Sequence, residues 1–333
     1  MTESELLLLV SRLNYELAEV ALDEPIYNRA RLDLEWLETQ LQRNTLELPA
    51  NWDSALFPLV NERSFRHMPK AHALATELVA ELRGLMGWNF TFTQLSECTN
   101  ALRTIGGGAT SMEEVANRMV DYLYNNLLHQ ATNDKVCALV RIFKTHKYAE
   151  LDDAAKAAVV KALSFEPQPT MRCLTLLASR GIEPEWNSRF RSVSHQAIPL
   201  TSVDMVQQSP MISRLLDQLG VDIAPLIRSE ESIIVDPSKK EYGVFYIPEA
   251  KGSEHIPGQD FVRKYGIHSV VGFGGQLPSR EVFAVIIFAN AFVSARAAGL
   301  FKSVALSAEL GLLQHEKTVF AATEGEATGG ASA

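Results

Sequence analysis

Arg141, Lys144 and His146 fall within a six-residue span at the end of an apolar stretch, residues 136–143. If that stretch is a strand, residues two apart share a face. Lys144 and His146 then point together, and Arg141 points to the other side. Cations so placed can receive an anionic ligand through charge-assisted hydrogen bonds; the plainer alternative is a solvated strand end. A second cluster, Arg189, Arg191 and His195, follows the turn around Pro184 and Trp186. Loops held by a rigid sheet often carry binding residues, and Trp186 could stack on a ligand or on a neighbouring arginine. Alternatively Trp186 plugs the edge of the domain and the arginines pair with local acids such as Glu183 and Glu185.

Other residue types offer less. Cys137 and Cys173 lie on two segments expected to be neighbouring strands, which makes cysteine redox chemistry an alternative; a buried strand cysteine is more commonly a small apolar side chain. Of the eight histidines, only His67 and His72 are close in sequence, and their spacing of five is not that of a helical metal pair. The glycines at 106–108 precede a helix but lack the Gly-Lys-Ser/Thr ending of a phosphate-binding loop, so a flexible linker is expected. Gly272-Phe273-Gly274-Gly275 fails the dinucleotide spacing and is expected to punctuate a hairpin. A close backbone approach to a ligand is the minority alternative there, with Phe273 as a candidate contact. No nucleophile elbow, catalytic carboxylate pair or kinase motif is recognisable.

The elements that must hold these residues divide the chain in two. Residues 2–22, 26–41 and 69–87 carry apolar stripes at helical spacing. Thr2 with Glu5 forms a capping box, and Pro25 and Pro69 stand at first helical positions. A helical region over residues 1–105 follows. Ser111 or Thr110 caps a further helix through 128. Beyond 135 the pattern changes to β-branched and aromatic segments at 136–143, 171–178, 195–200, 232–235, 242–247, 269–272 and 282–289. Short helices are expected at 152–163 and 210–219, a closing amphipathic helix at 294–313, and a disordered tail from 316.

The 333 residues, 47% of them hydrophobic and 21% charged, suit an ordinary globular protein of two domains. The net charge of −9 speaks against nucleic acid as a partner. Three dispersed cysteines and the lack of a basic, apolar leader point to a reducing, cytoplasmic setting. The longest apolar run is too short for a membrane span.

Several stretches resemble one known family: residues 137–146 (CALVRIFKTH), 183–189 (EPEWNSR), 195–200 (HQAIPL), 209–213 (SPMIS), 256–262 (IPGQDFV) and 265–275 (YGIHSVVGFGG). Together with the element order they resemble the GAF-like sensor regions of bacterial histidine kinases and nucleotide cyclases, over about residues 110–315. The resemblance implies an α+β fold, a helical N-terminal region followed by a GAF/PAS-like antiparallel sheet covered by helices. It implies a non-enzymatic regulatory module that senses a small molecule or a signalling partner. It does not carry over a ligand or cofactor, because the cyclic-nucleotide pattern and a bilin-type cysteine are absent. Output is expected through a homo-oligomer interface on the closing helix, at Ala298, Phe301, Ala305 and Leu310. An assembly protein with a ligand-free fold of this type is the alternative.

Overall fold

The computed structural model describes residues 2–18, 25–46, 48, 52, 54–88, 90–129, 133–192, 195–228 and 243–320. The expected strand at 232–235, residue 242 of the next one, and the tail beyond 320 lie outside them. The N-terminal helices are α1 (Glu3–Ala18), α2 (Pro25–Gln42), α3 (Leu56–Leu59), α4 (Arg63–Arg66) and α5 (Pro69–Met86). Then come α6 (Phe92–Thr104), α7 (Met112–Asn126), β1 (Cys137–Lys147), α8 (Asp153–Ala162), β2 (Arg172–Gly181) and β3 (Ala197–Pro199). The chain continues through α9 (Val203–Gln207), α10 (Pro210–Gln218), α11 (Ile223–Arg228), β4 (Gly243–Ile247), α12 (Gln259–Lys264), β5 (Ser269–Gln276), β6 (Val282–Ala289) and α13 (Ala295–Leu313).

The six strands form one antiparallel sheet in the order β3-β2-β1-β6-β5-β4. Both of its faces are buried. Phe283, Val285 and Ile287 of β6 join α6, α7 and α13 in one core; Val282, Ala284 and Ile286 join α10 and α12 in another. A strand covered on both sides has no polar face to alternate with, so it is a continuous apolar run. The α+β architecture with helices flanking an antiparallel sheet is therefore the one the element order implies.

Helix starts follow the expected chemistry. Thr2 and Glu5 exchange hydrogen bonds, and Ser111 Oγ accepts from the Glu114 amide. Two expectations are corrected. Gly272–Gly275 is not a turn but the middle of β5; a Cβ at Gly274 would stand 2.1 Å from the Phe283 carbonyl oxygen, so glycine there permits close approach to β6. The turn lies at residues 277–281, where Arg280 takes φ 68°. The glycines at 106–108 form a packed corner rather than a linker. Arg118 donates to the Ile105 and Gly107 carbonyls, and a Cβ at Gly311 would stand 2.5 Å from the Leu102 carbonyl oxygen.

The closing helix is also reassigned. Ala298, Phe301 and Ala305 are buried against the sheet, with Phe301 stacked on Phe273 at 5.3 Å. Three of the four expected oligomer contacts are thus covered by this chain's own core, and of that set only Leu310 is exposed. Phe273 is likewise a core residue. The amphipathic pattern pointed to a buried stripe, and the sheet, not a second copy, supplies the burial.

Helices α1–α5 bury their own core, built on Leu13, Leu34, Leu37, Phe65, Leu78 and Leu82. Residues of α6 belong instead to the sheet-side core, as do Trp88 and Phe90. The change of core falls at Gly87, earlier than the expected boundary at 105. The two cores meet at Phe292, just past β6, whose ring enters the helical core 4.7 Å from Phe57. Its carbonyl accepts from the Trp88 amide at 2.7 Å. Arg83 of α5 lies 5.7 Å from both rings and pairs with buried Glu249 at 2.7 Å. Phe292→Ala should cost about 3–5 kcal/mol, the usual range for truncating a buried phenylalanine. Urea unfolding followed by tryptophan fluorescence measures it, and a change within 0.5 kcal/mol, about that of a surface substitution, would show that Phe292 does not clamp the two cores.

Candidate functional site

β1 leaves the sheet interior carrying Lys144 and His146 on one face. Val140 and Ile142 belong to the core on the α7 side, so Arg141 points to the opposite face. The expected split between Arg141 and the other two is what the strand produces. Lys144 and His146 line a cavity of about 510 Å³ together with Arg172, Arg280, Glu281 and Phe320. That volume suits a small-molecule pocket.

The polar groups here are unusually poorly matched. Lys144 is 3% exposed, and its ammonium donates only to the neighbouring Thr145 carbonyl, at 3.2 Å. The acids nearby are committed elsewhere. Glu281 takes Arg172 on one oxygen and the Thr145 hydroxyl on the other. Glu150 accepts from the Lys147 amide, and Glu316 from the Ser279 amide at 2.9 Å. Burial lowers the Lys144 pKa, against the attraction of Glu281, Glu150 and Glu316.

His146 is 1% exposed, and neither ring nitrogen makes a hydrogen bond of ordinary geometry. Burial, then the positive charge of Lys144, holds its pKa well below the usual value; the Lys144 backbone offsets this only in part. Thr175 stands directly across from Lys144 in the β1–β2 register, and paired residues share a face. Its hydroxyl is fully buried without a partner. His146 and Thr175 therefore leave two buried polar side chains without partners, beside an ammonium that only a backbone carbonyl accepts from. Buried polar groups are nearly always hydrogen-bonded, and these two are not.

The lid of the cavity is a strap, residues 314–320, that the composition of the tail had marked as disordered from 316. The Thr318 and Val319 carbonyls accept from the Met112 and Glu113 amides, both at 2.8 Å. These are the first amides of α7, so the strap occupies the helix end that a phosphate would need. Phe320 lies over His146 with ring centres 5.3 Å apart, and 5.0 Å from the Arg189 guanidinium.

Arg189 is the hub beneath the strap. It forms a two-bond fork with Glu113 at 2.7 and 3.1 Å and reaches Asp152, the N-cap of α8, at 2.5 Å. Burial opposes its charge, but the hydrogen bonds to Glu113 and Asp152 outweigh that and raise its pKa. Its partners are distant acids, not Glu183 or Glu185. A hub with every charge matched is a positioning device rather than an open ligand contact.

The remaining candidates lie away from this cavity; Arg141 and His195 lie near each other, and desolvation, then the Arg141 charge, lowers the His195 pKa. Arg191 and His195 are exposed, His195 at φ 65°. Arg141 donates to Ser192 at 3.3 Å on the far face. Trp186 packs edge-on against Tyr265 at 4.6 Å and Phe261 at 5.6 Å, the edge plug of the plainer alternative. Cys137 faces Ala289 at one end of β1, while Cys173 faces His146 near the other. At roughly 3.3 Å per residue they are on the order of 30 Å apart, far beyond disulfide reach. Burial pushes the Cys98 and Cys173 thiols up to about 12 and Cys137 higher, which removes the thiolate such chemistry needs.

Arg172, Thr175, Glu281 and Phe320 were not among the expected residues. The charges flank apolar runs in sequence, and only strand pairing and the strap bring them together. Among the described residues, no group of three or more His, Cys, Asp and Glu is placed to hold a metal, and no helix is long and apolar enough to cross a membrane. No protein-family model matches the chain, and no curated protein matches it.

His146 fixes a pH dependence. The unfolded ring titrates near 6.5, the folded one lower. Below about 6.5 the unfolded chain binds the extra proton, so stability is present above that pH and declines as pH falls toward the folded value. His146→Phe should flatten urea-unfolding stability between pH 7 and 5.5 by up to about 1.4 kcal/mol per pH unit. An unchanged slope would show that His146 is not held neutral.

Proposed function

We propose that this chain is a regulatory module that binds a small anionic molecule beneath the C-terminal strap and reports its presence through the elements the strap touches. One observation carries the reading: a buried ammonium, Lys144, with no carboxylate bonded to it among the described residues, beside two buried side chains that lack partners. An uncompensated buried charge is costly. A folded protein that keeps one at the wall of a cavity gains most from a ligand of opposite charge. The resemblance to GAF-like sensor regions supports a sensing role, as does the antiparallel sheet with helices on both faces.

The path of output follows from the strap. It joins the cavity to the start of α7 and, through Phe320 and Arg189, to the start of α8. Occupancy that shifts Phe320 changes the end of two helices at once. This replaces the expected route through a dimer face on α13, whose central residues are buried.

Lys144→Met separates the cost of the site from its use. The empty variant should be more stable than the wild type by about 1–3 kcal/mol, because an unmatched polar group is exchanged for an apolar one of similar length. Native mass spectrometry of the purified wild type, set against its denatured mass, should show a small noncovalent adduct that Lys144→Met lacks. A variant that is less stable and still carries the adduct would remove Lys144 from the binding role.

A further inference from the structure

The sheet face opposite the strap cavity holds a second cation without an acid. Val140 and Ile142 turn to the α7 side, so Arg141 shares its face with Leu139 and Phe143, both buried in the core beneath α10 and α12. Ile286, its partner on β6, belongs to that core as well. A guanidinium is thus planted in an apolar wall. Among the described residues no carboxylate is bonded to it; Nη2 donates to the Ser192 hydroxyl at 3.3 Å. The buried arginines elsewhere are paired: Arg83 with Glu249, Arg172 with Glu281, and Arg189 with Glu113 and Asp152. Burial lowers the Arg141 pKa to about 10, which leaves it charged at neutral pH. A buried charge without a counter-ion is costly.

A hydroxyl stands beside it. Ser179 lies directly across from Arg141 in the β1–β2 register, and paired residues share a face with Cβ atoms about 5 Å apart. Its neighbours turn the other way, Ala178 into the α7-side core and Arg180 to Asp121. Ser179 is 2% exposed and its hydroxyl has no partner; Arg141 Nε is likewise buried without one. Two donors side by side lack an acceptor, while Arg141 as a whole keeps partial exposure and is reached from solvent. We infer that Arg141 and Ser179 form a second binding position, separate from the strap cavity, for an oxyanion: the oxygens of a phosphate, sulfate or carboxylate group. One oxygen takes Nε and the Ser179 hydroxyl, and a second takes Nη2, the fork that a guanidinium offers to such groups.

The test reads Arg141 directly in the full chain. Its Nε–H resonance in nitrogen-15 NMR is assigned by its loss in Arg141→Lys. Inorganic phosphate, sulfate and acetate are titrated at constant ionic strength, with chloride as the balancing anion. At least one probe should shift the resonance saturably, and the tightest of the three separates a tetrahedral oxyanion from a carboxylate. Ser179→Ala should weaken that probe about tenfold, the size of a hydrogen bond to a charged group. The shift should persist in Lys144→Met. A resonance that none of the probes moves, a shift that chloride alone reproduces, or an affinity unchanged in Ser179→Ala would overturn the site and leave the Lys144 reading untouched. A shift lost in Lys144→Met would overturn it too, because the anion would then be acting from the strap cavity.

Discussion

Burial of the six-stranded sheet on both faces is the constraint on which the rest of this structure depends. It explains why β6 is apolar at all eight positions, why α6, α7 and α13 cover one face, and why α10 and α12 cover the other. It also makes every polar residue on a central strand conspicuous. Thr145 meets the rule by donating to Glu281 and accepting from the Val282 amide. His146 and Thr175, one face over, do not meet it, and Lys144 has only the Thr145 carbonyl. In a low-dielectric interior that shortfall costs far more than it would at a surface. The contrast between adjacent residues of one strand is the strongest sign that this cavity wall has a purpose beyond stability.

Matched and unmatched charges play different parts. The Arg189 hub has two carboxylates for one guanidinium, all well buried or nearly so, and its geometry is the bidentate kind that fixes orientation. It ties the loop after β2 to the starts of α7 and α8. The Arg172–Glu281 pair pins the start of β2 to the residue before β6. These pairs hold a rigid frame around a buried ammonium to which no carboxylate is bonded among the described residues. The strap completes the frame with backbone bonds to the first amides of α7, donors that a helix always leaves without an internal partner.

The helical N-terminal region is docked through apolar contact more than through charge. Phe292 belongs to the loop after β6 in sequence but to the helical core in space. Arg83 covers it and meets Glu249, whose pKa burial raises in spite of the arginine. A buried pair of this kind is weak evidence of stabilisation by itself, whereas an aromatic side chain shared between two cores couples them directly.

The sequence alone determined what depends on local chemistry. The capping box at Thr2, the Ser111 N-cap, prolines at helix starts, the apolar runs of β1, β2 and β6, and the shared face of Lys144 and His146 all follow from neighbours a few residues apart. Tertiary structure decided what depends on partners far along the chain. The stripe on α13 was visible, but an apolar stripe is the same whether a sheet or a second copy covers it. Gly274 and its neighbours looked like a turn because glycine marks both a turn and a close strand approach. Arg189 showed its charge but not Glu113 and Asp152, which lie 76 and 37 residues away. Thr175 and Phe320 carried no local signal at all. Strand register placed the first beside Lys144, and the strap's bonds to α7 brought the second over His146. Local pattern records which face a residue takes; only the packed fold settles what that face meets.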